Sequence, residues 1–249
     1  MTLMPITKLK KMTRDFLIDI VETALSNVLT NRRRFDVEMM AHLLATVESA
    51  KLLIKSMPAA RNLKTRWNLL DYCVENVWVD GLWMEFGVYK GKSISKIAKH
   101  TKAEVFGFDS FEGLPGDWIL SYKKGDFSLE GHTPKNLPPN VKLIRGLFSE
   151  TIPRFLEEHP EFVSFLHIDC DLYLSAKTVL THLRSRIKSG TIILFDEFFN
   201  FPQWQENEYK AFMEFIDETR FSYEFIGYAS AYNSAAVRIT GISGNSDPK

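Results

Sequence analysis

The residues of this 249-residue chain best suited to chemistry are carboxylates that end short apolar runs. GLWMEF carries Glu85, EVFGFD ends in Asp109, VSFLHID ends in Asp169, and TIILFD ends in Asp196 followed by Glu197. One acid in such a place caps a helix or sits solvated in a loop. Four gathered at one sheet edge repel one another, so the site they form needs a cation, a ligand amine or hydroxyls to offset the charge. Hard carboxylate oxygens from two neighbouring strand ends suit Mg²⁺ and leave coordination positions for water and substrate. Asp169, Asp196 and Glu197 are therefore the candidate metal ligands. Asp171, two residues on, competes with Asp169 if the strand continues. Helix capping, or pairing with Lys177 or Arg184, is the structural alternative for the cluster.

A second feature is EFGVYKGKS, residues 85 to 93, between a strand-like and a helix-like run. Gly87 and Gly91 permit a tight turn, and the following helix offers free N–H groups and a positive dipole end to an anion. Ser93, in the first helical turn, can add a hydroxyl to those donors or simply start the helix. Asp109 follows Gly87 by 22 residues at the next strand end, where an acid can accept both ribose hydroxyls. A nucleoside-containing cofactor is implied. Tyr89 stands where GxGxxG would have its second glycine, which disfavours NAD. The 30 residues from Ser110 to Pro139 form a long connection with Trp118, Tyr122, Phe127 and several glycines, and read as a lid. His132 is its only histidine and is the candidate base, since a neutral imidazole can take a proton from a hydroxyl near pH 7. His167 alternates onto the same side as Asp169 and reads as a support for a ligand.

These residues need elements to position them, and the hydrophobic period supplies the outline. Before residue 78, FLIDIVETALSNVL, DVEMMAHLLATVESAKLLIKSM and TRWNLLDYCVENV repeat at three- and four-residue intervals and predict three amphipathic helices for packing or oligomerisation. After it, short β-rich runs alternate with helical ones, which predicts an α/β fold: a mostly parallel sheet with helices on both faces. Gly190 predicts a helix stop before TIILFD, FSYEFIGY and SAAVRIT predict an antiparallel hairpin, and GISGNSDPK a disordered tail. The expected organisation is a helical subdomain over 1–77, a Rossmann-like domain over 78–240 and a tail over 241–249.

Lys+Arg and Asp+Glu balance at 31 each, so the chain lacks the basic excess of a phosphate-backbone binder, and nucleic acid is not an expected partner. Cys73 and Cys170 are too few for a disulfide framework and fit a reducing cytoplasm. Asp19 and Glu22 interrupt the first apolar run, so neither a targeting segment nor a membrane span is expected.

The pattern ExGxYxGxS, filled by Glu85, Gly87, Tyr89, Gly91 and Ser93, resembles the cofactor motif of class I S-adenosylmethionine-dependent O-methyltransferases. HIDCDLYLSAKTVLTHLRSRIKSGTIILFDEFFNFPQW, with FDSFEGLP and the GLF turn, is similar to the macrocin O-methyltransferase family, whose members methylate sugar hydroxyls and use a divalent metal. The resemblance spans roughly residues 80 to 215. It implies a Rossmann-like class I methyltransferase with an N-terminal helical subdomain and a C-terminal antiparallel hairpin. It further implies that Glu85, Gly87, Gly91 and Ser93 surround the methionine part of S-adenosylmethionine, that Asp109 holds its ribose, and that Ser110, Phe111 and Gly146 to Phe148 lie near the adenosine. Asp169, Asp196 and Glu197 would hold Mg²⁺, with Glu197 departing from the aspartate usual there. The acceptor would be a hydroxylated small molecule, a sugar or natural product; the N-terminal helices, independently, predict a homo-oligomer. Three rivals stand beside this reading: a dehydrogenase using Tyr173 and Lys177, a glycosyltransferase using the DxD of Asp169 and Asp171, and a non-catalytic methyltransferase-like scaffold.

Overall fold

The computed structural model describes residues 36–119 and 122–242. The first expected helix, residues 16–29, and residues 243–249 of the expected tail lie outside them. The chain divides into two compact units, 1–41 and 42–249.

The second expected helix forms as α1 (Val37–Ser56), and the third as α2 (Arg66–Glu75). Thr65 caps α2, its side chain accepting from the Asn68 N–H at 3.2 Å. Between them the two-residue strand β1 (Arg61–Asn62) opens the sheet. The alternation beyond residue 78 then resolves into β2 (Leu82–Phe86), α3 (Lys92–His100), β3 (Val105–Asp109), β4 (Val141–Arg145), α4 (Phe148–Glu158) and β5 (Val163–Ile168). It continues through α5 (Tyr173–Leu183), β6 (Ile192–Phe195), α6 (Glu208–Thr219), β7 (Phe221–Tyr228) and β8 (Ala235–Ile242).

The eight strands form one sheet in the order β1-β7-β8-β6-β5-β2-β3-β4. Every pairing is parallel except those of β8 with β6 and β7. The expected C-terminal hairpin is present, but it inserts β8 between β6 and its own partner β7. Two elements N-terminal to residue 78, β1 and α2, also belong to the sheet layer: β1 pairs with β7, and α2 packs on one face. β8 reaches Ile242, two residues into the expected tail. α5 ends at Leu183, earlier than the basic run to Lys188 predicts. There the Arg186 guanidinium turns back to the carbonyls of Pro160 and Leu156.

Strand alternation sorts the core into two layers. Trp83, Val105, Phe165, Ile192 and Leu194 face α2 and α3. Met84, Phe86, Phe106, Phe108, Leu166, Ile168, Ile193 and Phe195 face α4, α5 and α6. Burying strands on both faces explains why β2, β5 and β6 read as continuous apolar runs. Among the described residues no helix is long and apolar enough to cross a membrane.

Candidate active site

Parallel strands put their carboxyl ends on one edge, and the crossovers leave a crevice there. β2 and β5 are neighbours in register, with Glu85 opposite His167 and Phe86 opposite Ile168. β5 in turn pairs with β6, Ile168 opposite Phe195. Glu85, Asp169 and Asp196 thus come from three adjacent strands. The Asp169 N–H donates to the Phe86 carbonyl and the Asp196 N–H to the Ile168 carbonyl, both at 2.9 Å, which extends the ladder to the residues that carry the charge.

Glu85 is fully buried. Ser93 Oγ donates to its Oε1 at 3.1 Å, and its Oε2 meets His167 Nδ1 at 2.8 Å. Burial raises the Glu85 carboxyl above its ordinary range. Burial also opposes a charge on His167, but the Glu85 hydrogen bond and carboxylate outweigh it and hold that imidazole upward too. The pair therefore keeps a proton between its two members. A ring nitrogen of His167 lies within 4.8 Å of carboxylate oxygens of both Asp169 and Asp196.

The candidate metal ligands fall into two groups that share Asp169. One is His167, Asp169 and Asp196; the other is Asp169, Asp171 and Glu197, with the donor atoms of each group within 4.8 Å of one another. Burial first, and Asp196 second, push Asp169 and Glu197 well up and Asp171 to about 7. Asp171 sits in the left-handed region, φ 61°, where the chain turns out of β5 into α5. Glu197 leaves Oε2 buried with no hydrogen-bond partner among the described residues.

Three residues absent from the sequence-derived site, Arg66, Ser234 and Glu208, complete it. Arg66, the first residue of α2, reaches Asp196 Oδ2 at 2.6 Å and Asp169 Oδ2 at 3.3 Å. Asp196 Oδ1 accepts from Ser234 Oγ at 3.1 Å. Glu208, the first residue of α6, is fully buried and accepts the Glu197 N–H on Oε2 at 3.1 Å. Its Oε1 has no partner among the described residues, and burial followed by the charge of Asp171 drives its carboxyl well up. A signal for Arg66 did exist. A cation in the first turn of a helix opposes the macrodipole, a local conflict that marks a residue held there for another purpose.

The loop that carries Glu197 is braced by α1: Ser49 Oγ accepts the Asn200 N–H at 2.8 Å, and Thr46 Oγ1 donates to Asn200 Oδ1 at 2.9 Å. On the glycine-loop side, Gly87 (φ 93°) and Gly91 (φ 75°) adopt the expected left-handed turns. Their missing side chains make room for protein. A Cβ on Gly87 would run into the Asp169 carbonyl, and one on Gly91 into Leu137 of the lid at 2.6 Å. Gly91 caps α3 without a side-chain acceptor. Asp109 organises this loop: Oδ2 accepts the Val88 and Tyr89 N–H groups at 2.8 Å each, and Oδ1 the Phe111 N–H at 2.7 Å. Ser110 Oγ accepts the Glu112 N–H at 3.2 Å, and Gly146 of the GLF turn donates to the Asp109 carbonyl at 3.0 Å.

The Ser110–Pro139 connection is tied to the glycine loop by an aromatic chain in which Tyr89 meets Phe127, Phe127 meets Tyr122, and Tyr122 stacks on Trp118. His132 is exposed, and its Nδ1 lies 3.2 Å from the Leu129 carbonyl within the lid. None of its described hydrogen bonds reaches the carboxylates. Tyr173 and Lys177 converge on Glu214 at 2.8 and 2.5 Å, tying α5 to α6. That tie accounts for the spacing without dehydrogenase chemistry.

Residues 84–198 match a protein-family model described as a methyltransferase domain. The match covers the Glu85 loop, Asp109, the Ser110–Pro139 connection and the Asp169 and Asp196 strand ends. Over 214 residues the chain is 23% identical to an 8-demethyl-8-(2,3-dimethoxy-alpha-L-rhamnosyl)-tetracenomycin-C 4'-O-methyltransferase of Streptomyces olivaceus, covering 74% of this chain and 80% of that protein. Among solved structures, the calicheamicin methyltransferase CalS11 aligns with TM-score 0.56 at 22% identity over 86% of this chain and 95% of its own. The O-methyltransferase NovP aligns with TM-score 0.55 at 22% identity over 70% and 79%. These similarities agree with the macrocin-type resemblance and with the class I fold of the methyltransferase domain.

Proposed function

We propose that the protein transfers a methyl group from S-adenosylmethionine to a hydroxyl of a sugar or other polyhydroxylated natural product, with a divalent metal, Mg²⁺ by preference, at the carboxylate cluster. The observation that carries this reading is the junction of two half-sites. The strand that leads into the glycine loop presents Glu85, and Glu85 is hydrogen-bonded to His167 beside Asp169 and Asp196. A methyl donor on the loop and an acceptor on the carboxylates would then meet at one crevice. The named relatives, which include a rhamnosyl-substrate 4'-O-methyltransferase, support an acceptor of this class.

In this reading Glu85, Gly87, Gly91 and Ser93 border the methionine part of the cofactor, and the uncapped start of α3 faces its carboxylate. Asp109 Oδ1 accepts a single backbone N–H and retains a lone pair for a ribose hydroxyl, with Ser110 alongside. The donor set fits a hard cation: carboxylates, one of them with a buried oxygen lacking a partner, arranged where a guanidinium already rests. Asp169 and Asp196 would hold the ion, and Glu197, which groups with Asp169 and Asp171 and not with Asp196, would join them only by turning its side chain toward it. When bound it supplies Lewis-acid polarisation of a coordinated hydroxyl. The proton acceptor proposed is Asp171, which lies at the turn out of β5 with a carboxylate oxygen within 4.8 Å of donor atoms of Asp169 and Glu197. His132, carried on the lid, is the second reading for that role. Oligomerisation through residues 1–77 and the lack of a nucleic-acid partner belong to the same proposal.

The test is methyl transfer to hydroxylated glycosides with Mg²⁺ or chelator, beside calorimetric binding of S-adenosylmethionine. Asp196→Asn should keep cofactor affinity and lose most turnover. Asp171→Asn and His132→Ala discriminate the acceptors, the true one losing about 10²-fold or more in rate. Full activity in chelator eliminates the metal, and tight NAD(P) binding without S-adenosylmethionine binding eliminates the methyltransferase reaction.

A further inference from the structure

Arg66 is the feature of the crevice that a metal site has to reckon with. Its guanidinium spans the two carboxylates that the ion would use, 2.6 Å from Asp196 and 3.3 Å from Asp169. It enters from α2, 103 residues from Asp169 in sequence, and Lys64 (φ 65°) and the Thr65 cap direct the chain into the helix at this point. In the same placement the guanidinium lies over the Trp67 ring, 4.8 Å from its centroid, so the ring helps hold the charge at the carboxylates. A second positive charge of two units at Asp169 and Asp196 would lie within a few ångströms of the first, where like charges repel strongly in a partly buried site.

We propose that Arg66 is the site's resident cation: it neutralises Asp169 and Asp196 when no metal is bound and must swing off them for a divalent ion to enter. This rests on the metal reading above. The guanidinium thereby keeps two close carboxylates from forcing the strand ends apart in the metal-free protein, and it sets a threshold that a cation must exceed to bind. Glu197, with its unpartnered Oε2, and Glu208, with its unpartnered Oε1, keep buried oxygens that no described hydrogen bond satisfies and that an entering cation would engage.

The experiment is calorimetric titration of the full chain with Mg²⁺, and separately with Mn²⁺, for the parent, Arg66→Met and Arg66→Lys. Thermal melting with and without each ion accompanies it. Arg66→Met should bind either ion about tenfold or more tightly than the parent, since the competing charge is gone. Arg66→Lys, which keeps a charge without the two-pronged fork, should fall between. Arg66→Met should melt lower than the parent without metal and gain more from added metal, because binding to the folded state alone stabilises by mass action. If Arg66→Met proves too unstable to titrate, Arg66→Lys decides by the same criterion. Parent and variants binding with equal affinity, or variants binding more weakly, would overturn the role of Arg66 and leave the metal reading in place. No binding of either ion to any of the three at millimolar concentration would remove the metal reading, and this role with it.

Discussion

Gly87→Ala tests how closely the cofactor loop and the carboxylate cluster are joined. Gly87 has φ 93°, and a Cβ there would stand 2.7 Å from the Asp169 carbonyl carbon and closer still to its oxygen, against ordinary contact from 3.4 Å. Relief has to come from separating the ends of β2 and β5, because the obstacle is backbone and not a flexible side chain. That separation strains the Asp169 N–H bond to Phe86. Left-handed strain of roughly 1 to 2 kcal/mol adds to roughly 1 to 3 kcal/mol of overpacking. At about 2 to 4 °C per kcal/mol for a chain of this size, melting should fall by about 4 to 20 °C. Gly125→Ala is the internal control. Gly125 has a near-identical φ of 90° with nothing within 4 Å of a Cβ, so it carries the backbone strain alone. The assay is thermal melting of both variants, with metal titration of each. Gly87→Ala should melt well below Gly125→Ala and lose metal affinity, since Asp169 moves with its own carbonyl. Equal melting of the two, or unaltered metal binding in Gly87→Ala, would refute the argument.

The carboxyls of Asp169, Asp171, Glu197 and Glu208 are all raised in the fold, so the folded chain holds protons that the unfolded chain releases near pH 4. Their contribution is then fullest below that point and falls as pH rises toward about 7, the value for Asp171. Urea unfolding in chelator should give higher stability at pH 5 than at pH 7.5, and the reverse trend would contradict the burial argument. Asp109→Ala leaves the Val88, Tyr89 and Phe111 N–H groups without their acceptor, at roughly 1 to 3 kcal/mol for each one that water cannot satisfy. Calorimetry should show S-adenosylmethionine binding weakened about tenfold or more, and an unchanged dissociation constant would sink the assignment. Tyr173→Phe removes a half-exposed tie to Glu214 worth about 0 to 1 kcal/mol, so methyl transfer should persist at parental rate; abolished turnover would reopen chemistry at that tyrosine.

How much of this site the sequence carried depended on distance along the chain. The acids at strand ends were legible because a short β-rich apolar run that stops on Asp or Glu gives both the element and its terminus locally. Glu85, Asp109, Asp169 and Asp196 all sit where that pattern puts them. Gly87 and Gly91 were legible as left-handed turns, but what pressed against them, a carbonyl of β5 and a leucine of the lid, belongs to segments far off in the chain.

The strand order was not legible either. FSYEFIGY and SAAVRIT announce a hairpin, yet its insertion with β8 beside β6 follows from which sheet edge still had unpaired backbone groups after the parallel crossovers closed. Arg66 and Glu208 lay in helices that read as packing elements, α2 through LLDYCV and α6 through FMEFI. Periodicity assigns the face a helix buries and is silent about what its first residue reaches. The sequence alone therefore determined the alternation of strand and helix and the acidic strand ends. The tertiary structure decided that a guanidinium and a fifth carboxylate share that crevice, because charges held by separate elements interact through space, and only the packed sheet sets that distance.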